Sequence, residues 1–182
     1  SLLINGVTFT TVTAADGTWE IDFENDTPTS GGPLADLSDG VYDIAVTSTD
    51  DVGNSSNDTT TDELVIDTTA PVVPTINLLV TNDNTPLISG TAEANSTLNI
   101  VLAGVTFEII VPGDGNWSID TESETPVSGG PFQQLADGAY DIVLTSTDKA
   151  GNTSNDATTN ELSIDTIAPE IPTAIYKSGT TT

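Results

Sequence analysis

The sequence contains no cysteine, no histidine and only two basic residues, Lys149 and Lys177. The absence of cysteine excludes a disulfide framework, a thiol nucleophile and a Cys-ligated metal. The absence of histidine removes the commonest general base and the commonest transition-metal ligand, so a Ser-His-Asp hydrolytic triad is not available. We therefore expect the protein not to be an enzyme.

Positive charge is almost missing, whereas 28 acidic residues give a formal net charge of −26. Nucleic acids and anionic membrane surfaces are themselves polyanions, so we expect neither as a partner. No apolar run is long enough to span a bilayer, and we expect no membrane insertion. Without His or Cys, the available metal ligands are carboxylate and carbonyl oxygens, which suit hard cations such as Ca²⁺.

The sequence repeats itself at a constant spacing. The string DGTWEID at 16–22 returns as DGNWSID at 114–120, and DGVYDIAVTSTD at 39–50 returns as DGAYDIVLTSTD at 137–148. Trp19 and Trp117 therefore lie 98 residues apart. A unit of this length is too long for one coil of a solenoid and fits one small β domain.

Alternating apolar and polar residues predict short β-strands, with Tyr42, Ile44 and Val46 on one face of a strand. Such strands separated by turn signals predict an all-β fold of tandem Ig-like antiparallel β-sandwiches, with about seven strands in a complete unit. The pattern Leu135-x-Asp137-Gly138-x-Tyr140 resembles the tyrosine corner of such sandwiches. In the second unit we predict strands A to G at 75–80, 86–92, 97–103, 105–111, 116–121, 139–147 and 160–165.

The repeat spacing predicts three segments. Residues 1–71 are expected to be an incomplete Ig-like repeat that lacks strands A and B, because Ser1 aligns with Asn99. Residues 72–171 are expected to be a complete repeat, and residues 172–182 the start of a next repeat or a donor or linker strand. Two prolines in the linking sequence IDTTAPVVP (66–74) predict a stiff connection.

Strand polarity predicts a metal site where the two units abut. In an Ig-like sandwich the N-terminus and the B–C, D–E and F–G loops share one pole, which would bring together Asp67, Glu93, Asp114 and Asp148. Four converging carboxylates repel strongly without a cation, and Ca²⁺ takes six to eight oxygen ligands. Asp16 and Asp50 occupy the matching places in the first unit, where we expect an incomplete site.

Several strings resemble the bacterial Ig-like tandem repeat domains, the extender regions of giant secreted RTX-type and biofilm adhesins. They are TPLISGTAEANST (85–97), DGNW (114–117), LADGAYDIVLTSTDKAGNTS (135–154) and IDTIAP (164–169). The resemblance implies a structural extender or spacer repeat on a bacterial cell surface, extracellular and secreted, with neighbouring Ig-like repeats as partners. It also implies that Ca²⁺ rigidifies the junctions, and the matching positions are again Asp67, Glu93, Asp114 and Asp148, with Asp16 and Asp50 in the partial repeat.

Two other functions stay open at this point. The chain could be an extracellular fibre subunit, a homopolymer in which the C-terminal tail of one copy completes the sandwich of the next by strand addition. It could also be an adhesin module that binds a carbohydrate or a host protein on the E–F loops, 23–38 and 121–136. Trp19 and Trp117 alternate with Ile21 and Ile119, which favours core positions over sugar-stacking platforms.

Overall fold

The computed structural model describes residues 1–173, and within them the chain forms β-strands and no helix. The chain divides after Thr69 into two compact units, which we call the first and the second repeat. The predicted segment 172–182 falls almost wholly outside the described residues. The strands are β1 (Leu2–Ile4), β2 (Val7–Phe9), β3 (Gly40–Tyr42), β4 (Ile44–Thr49), β5 (Ser55–Asn57), β6 (Leu64–Ile66), β7 (Thr75–Ile76), β8 (Leu79–Thr81), β9 (Leu87–Thr91), β10 (Thr97–Leu102), β11 (Val105–Ile110), β12 (Asn116–Asp120), β13 (Gly138–Tyr140), β14 (Ile142–Thr147), β15 (Thr153–Asn155) and β16 (Leu162–Ile164).

The second repeat encloses one hydrophobic core between its sheets. Its strand orders are β12-β9-β7, β11-β10-β14-β15 and β13-β16-β8. Every second side chain of β10 is buried, namely Leu98, Ile100 and Leu102, and Trp117 and Ile119 of β12 belong to the same core. The alternation in the sequence thus corresponds to one inward face per strand, and the predicted all-β, Ig-like architecture is confirmed.

The predicted strand A is two strands that belong to different sheets. β7 pairs antiparallel with β9, whereas β8 pairs parallel with β16. The backbone N–H of Asn77 donates to the carbonyl of Ser89 (2.8 Å), and the N–H of Leu79, two residues later, donates to the carbonyl of Glu161 (2.8 Å). The chain therefore crosses from one sheet to the other between these residues, a change of partner that periodicity alone does not encode.

The predicted strand F is also interrupted. β13 pairs with β16, and β14 pairs with β10 and β15, with Asp141 at the break. The buried carboxylate of Glu161 accepts the backbone N–H of Ile142 (3.1 Å). This bond satisfies a backbone donor at the point where the strand is interrupted. β15 lies within the segment that the sequence predicted to be the F–G loop. It was not predicted as a strand because its residues, Thr153–Asn155, are polar.

The tyrosine corner is present in both repeats. The hydroxyl of Tyr140 donates to the carbonyl of Ala136 (2.9 Å), and that of Tyr42 donates to the carbonyl of Ser38 (2.8 Å). Each bond ties the start of a strand to the preceding connection, as the sequence pattern predicted.

The first repeat has one four-stranded sheet, β2-β1-β4-β5, and a two-stranded pair, β3-β6. Asn5 and Gly6 both have positive φ, 46° and 79°, which is the type I′ geometry of a two-residue hairpin turn between β1 and β2. The core centres on Leu2, Ile4, Val7 and Phe9. Residues 18–22, the counterpart of β12, do not form a strand, and the expected core residue Trp19 is 47% exposed, against 3% for Trp117.

Candidate functional site

Four segments of the second repeat meet at the end that we call its N-terminal pole. They are the start of the repeat at 70–74 and the loops at 92–96, 111–115 and 148–152. The backbone N–H of Val72 donates to Glu93 Oε2 (2.9 Å), and the hydroxyl of Ser154 donates to the carbonyl of Val72 (3.2 Å). The N–H of Ala92 donates to the carbonyl of Gly115 (2.9 Å). Glu93 thus fixes the start of the repeat to the loop between β9 and β10.

Asp148 organises its own loop. Its Oδ1 accepts the backbone N–H groups of Ala150, Gly151 and Asn152 at 2.8–2.9 Å, and its Oδ2 accepts the side-chain amide of Asn152 (2.9 Å). The hydrogen bond from the Asn152 side chain, followed by those from the backbone, holds the pKa of Asp148 below its ordinary value. The carboxylate closes a tight turn, and both its oxygens are engaged.

Asp114 serves a smaller turn in the same manner. Its Oδ1 accepts the backbone N–H of Asn116 (3.1 Å), and this bond is the main reason that the pKa of Asp114 lies below its ordinary value. The turn leads into β12 and hence positions Trp117.

The matching carboxylates of the first repeat close matching turns. Asp50 accepts the backbone N–H groups of Val52 (3.0 Å) and Asn54 (2.8 Å) and the side-chain amide of Asn54 (2.7 Å). Asp16 accepts the N–H (3.0 Å) and the hydroxyl (2.7 Å) of Thr18. The pKa of each is lowered, chiefly by the side-chain bond from Asn54 and from Thr18 respectively.

The predicted ligands do not form a metal-binding group in this geometry. Across residues 1–173, no three acidic side chains lie close enough together to hold a metal ion. Asp67, in the first repeat, accepts the backbone N–H of Thr69 (3.0 Å). Carboxylate oxygens have the right chemistry for a hard cation. Each predicted carboxylate, however, accepts a hydrogen bond within its own repeat, so the metal site stays a prediction.

Sequence reasoning missed a second set of acidic residues that tie each repeat together. Asp39 accepts the N–H (2.9 Å) and hydroxyl (2.7 Å) of Thr68, and Asp137 accepts the same groups of Thr166 at 3.0 and 2.7 Å. Hydrogen bonds from the Thr69 and Thr68 hydroxyls, in that order, lower the pKa of Asp39. The DG pairs at 39–40 and 137–138 are typical of turns, a pattern that does not indicate these bonds. The available signal was the recurrence of a Thr 29 residues after each of these aspartates.

The connection after β12, the alternative ligand site, has a surface concavity of about 590 Å³ between Thr121 and Phe132. Its aromatic member, Phe132, packs on Phe107 with ring centroids 5.7 Å apart and so faces the core.

The described part of the chain contains no helix long and apolar enough to cross a membrane.

In a comparison with protein families, residues 79–166 match the bacterial Ig-like domain. No curated protein matches the chain. Among solved structures, one of a tetra-tandem repeat in the extending region of a large adhesion protein is 23% identical, with a TM-score of 0.45, and the match covers 91% of this chain and 41% of that one.

Two further solved structures are each 29% identical. One, from work on host cell surface retention of a 1.5-MDa bacterial ice-binding adhesin, has a TM-score of 0.37 and is matched over 90% of this chain and 52% of its own. The other concerns a Ca²⁺-stabilized adhesin that helps an Antarctic bacterium bind ice, with a TM-score of 0.35 and coverages of 90% and 40%. The chain therefore spans about two fifths to one half of these structures.

Proposed function

Residues 79–166 match the model of the bacterial Ig-like domain. We propose that the chain is a spacer of a bacterial cell-surface adhesin, an extracellular array of repeats that carries tension between the cell and a binding region. In this role the repeats have no catalytic task, and their partners are neighbouring Ig-like repeats. The high negative charge keeps such an array soluble and free of self-association.

One observation carries this proposal, the parallel pairing of β8, the second strand of the second repeat, with β16, its last strand. β8 follows the start of the repeat and β16 precedes its end, and they align Leu79 with Leu162 and Thr81 with Ile164. Hydrogen bonds lie at both ends of the pair, from Leu79 N–H to the Glu161 carbonyl (2.8 Å) and from Asp165 N–H to the Thr81 carbonyl (3.0 Å).

This geometry suits a domain that is pulled by its ends. Tension applied before β8 and after β16 acts on opposite ends of a parallel pair, so the strands slide and all of their hydrogen bonds are strained together. Tension applied at the same end of both strands would break the bonds one after another. Breaking several bonds at once requires a larger force than breaking them in sequence, because the individual contributions of about 1 kcal/mol then add.

Single-molecule pulling tests the proposal, and the absence of cysteine allows clean attachment at introduced thiols. Val72→Cys with Ile171→Cys pulls the second repeat by its ends, whereas Val72→Cys with Thr159→Cys pulls β8 and β16 from the same end. We expect a clearly higher unfolding force in the first geometry. Equal forces, or a lower force for end-to-end pulling, would refute the force-bearing role.

We further propose that Ca²⁺ binds at the N-terminal pole of the second repeat through Glu93, Asp114 and Asp148, with Asp67 from the preceding link. Support comes from the proximity of the three loops in the second repeat, the oxygen-only donors and the net charge of −26. Asp16 and Asp50 are the candidates in the first repeat. At Asp148 the ion would compete with the Asn152 side-chain amide, because that amide engages Oδ2.

Melting temperatures in Ca²⁺ and in EDTA test this second proposal. A ligand at 100 times its Kd stabilises the folded state by about 2.7 kcal/mol, which corresponds to roughly 10–20 °C for a domain of this size. Glu93→Gln should lose most of the Ca²⁺ effect while melting like the wild type in EDTA, since the amide oxygen still accepts the Val72 N–H. Glu108→Gln, on the exposed side of β11, is the matched control. The same melting temperature in Ca²⁺ and EDTA for the wild type would exclude the ion.

A further inference from the structure

The last residues of the first repeat are bound to a single carboxylate. Asp39 Oδ1 accepts the backbone N–H (2.9 Å) and the hydroxyl (2.7 Å) of Thr68, and Asp39 Oδ2 accepts the hydroxyl of Thr69 (2.7 Å). Two consecutive threonines therefore engage both oxygens. Hydrogen bonds to an ionised carboxylate are stronger than those between neutral groups. We call these three bonds the exit anchor of the first repeat.

The fold places Asp39 beside the link. β3 and β6 form an antiparallel pair that aligns Gly40 with Ile66, so the chain that continues beyond β6 passes Asp39. The hydroxyl of Tyr42 donates to the carbonyl of Ser38 (2.8 Å) and holds the segment that leads to Asp39. The tyrosine corner of the first repeat therefore also positions its exit anchor.

The first residues of the second repeat are fixed within their own repeat. The backbone N–H of Val72 donates to Glu93 Oε2 (2.9 Å), and the carbonyl of Val72 accepts the hydroxyl of Ser154 (3.2 Å). Both backbone polar groups of Val72 are thus bound, and the two prolines of the link, Pro71 and Pro74, are buried. We call these two bonds the entry anchor of the second repeat.

Only two residues, Ala70 and Pro71, lie between the exit anchor and the entry anchor. The ring of Pro71 fixes its φ at about −65°. A residue that precedes proline is restricted to extended conformations, and Ala70 is such a residue. Few soft backbone torsions therefore remain between the anchors, so a large bend of the link requires one anchor to release.

The second repeat has a weaker form of the exit anchor. Asp137 accepts the backbone N–H (3.0 Å) and the hydroxyl (2.7 Å) of Thr166. The residue that matches Thr69 is Ile167, which has no hydroxyl. The anchor at Asp39 thus has one bond more than its counterpart, and isoleucine is a side chain that the repeat accepts at this position.

We propose that Asp39 is a positioning residue of the link, which it stiffens by holding Thr68 and Thr69. The inference rests on the proposed spacer function and adds a source of stiffness that needs no metal, because Asp39 is not among the candidate Ca²⁺ ligands. In such an array the chain's own hydrogen bonds restrict bending at Ala70 and Pro71.

Pulsed electron paramagnetic resonance on the full chain tests this inference, with spin labels at Leu3→Cys on β1 and Val143→Cys on β14, which are 44% and 53% exposed. Asp39→Ala should broaden the distance distribution by about 1.4-fold or more, because the residues between the anchors rise from two to four and the spread of a flexible segment grows with the square root of its length. Asp39→Asn should keep most of the narrow width, since its amide oxygen still accepts hydrogen bonds. Thr69→Ile, which removes one bond, should broaden the distribution less than Asp39→Ala.

Asp137→Ala is the matched control, because it removes the equivalent bonds to Thr166, beyond β16. It should lower the melting temperature of the second repeat and leave the distance distribution unchanged. The broadening by Asp39→Ala should appear in EDTA as well as in Ca²⁺. Equal widths for the wild type and Asp39→Ala, or equal broadening by Asp137→Ala, would overturn the inference and leave the pulling and chelation experiments unaffected.

Discussion

Replacing each tryptophan by alanine tests the difference between the two repeats most sharply. Trp117→Ala removes a ring that is 3% exposed and packs between Gly90 and the core of the second repeat. Trp19→Ala removes the equivalent ring of the first repeat, which is 47% exposed. The two substitutions are chemically identical and differ only in what covers the side chain.

The structure sets the expected magnitudes. Truncating a buried tryptophan typically destabilises a domain by about 3–5 kcal/mol. Nε1 of Trp117 is buried without a hydrogen-bond partner among the described residues, and its removal relieves part of a penalty of about 1–3 kcal/mol. We therefore expect a net loss of about 2–4 kcal/mol for Trp117→Ala. For Trp19→Ala we expect about 1 kcal/mol, because roughly half of the ring is already in water.

Thermal unfolding followed by resolved amide signals of β10 and of β1 separates the two repeats. A change of 1 kcal/mol shifts the melting temperature by about 4–8 °C for domains of this size. The β10 signals should therefore lose about 10–30 °C in Trp117→Ala, and the β1 signals less than about 8 °C in Trp19→Ala. Equal losses would mean that Trp19 is buried as fully as Trp117, which would refute the difference in their exposed fractions.

Three further outcomes follow from named contacts. Gly90→Ala should destabilise the second repeat by about 1–3 kcal/mol in urea denaturation, whereas Gly113→Ala, with no atom within 4 Å of the added Cβ, should change it by less than about 0.5 kcal/mol. Tyr140→Phe should cost about 1 kcal/mol in the same assay through the lost bond to Ala136, and Tyr42→Phe should give a similar loss through Ser38. The folded pKa of Asp148 lies below its unfolded value, so its stabilisation is complete above that value and disappears as the pH falls through the folded pKa. The melting-temperature difference between wild type and Asp148→Ala should therefore be constant above the ordinary value of 3.8 and shrink below it.

Periodicity and turn chemistry predicted the architecture well, because buried faces impose a strict alternation. Leu98, Ile100 and Leu102 alternate in the sequence and are all buried, and Asn5-Gly6, a dipeptide typical of two-residue hairpins, forms such a turn. The tyrosine corner was recognisable because one side chain and one nearby carbonyl define it. Such features are local and can be read along the chain.

Features that depend on the choice of partner were not predictable in this way. The change of sheet between β7 and β8 reflects which strand lies beside each, and the polar strand β15 has no apolar pattern to indicate it. Trp19 and Trp117 have nearly the same neighbours in sequence, yet only Trp117 is buried. Its burial depends on β9, a strand from another part of the chain that pairs with β12.

The predicted carboxylates illustrate the same limit at the candidate site. Strand polarity predicted that the loops holding Glu93, Asp114 and Asp148 lie at one pole, and a hydrogen bond from Ala92 to Gly115 joins the first two of these loops in the second repeat. It could not reveal that Asp148 uses both oxygens to close its own loop, because the acceptors of a short loop are decided by its backbone conformation. Chelation experiments are therefore needed to establish the proposed Ca²⁺ site.

The most direct test of the spacer proposal is a distance measurement between the two repeats by pulsed electron paramagnetic resonance. Spin labels at Val12→Cys and Ile110→Cys would occupy equivalent exposed positions, 91% and 65% accessible, in a chain that has no other cysteine. The account predicts a narrow distance distribution in Ca²⁺ that broadens in EDTA. A distribution in Ca²⁺ as broad as that of a flexible tether would contradict it.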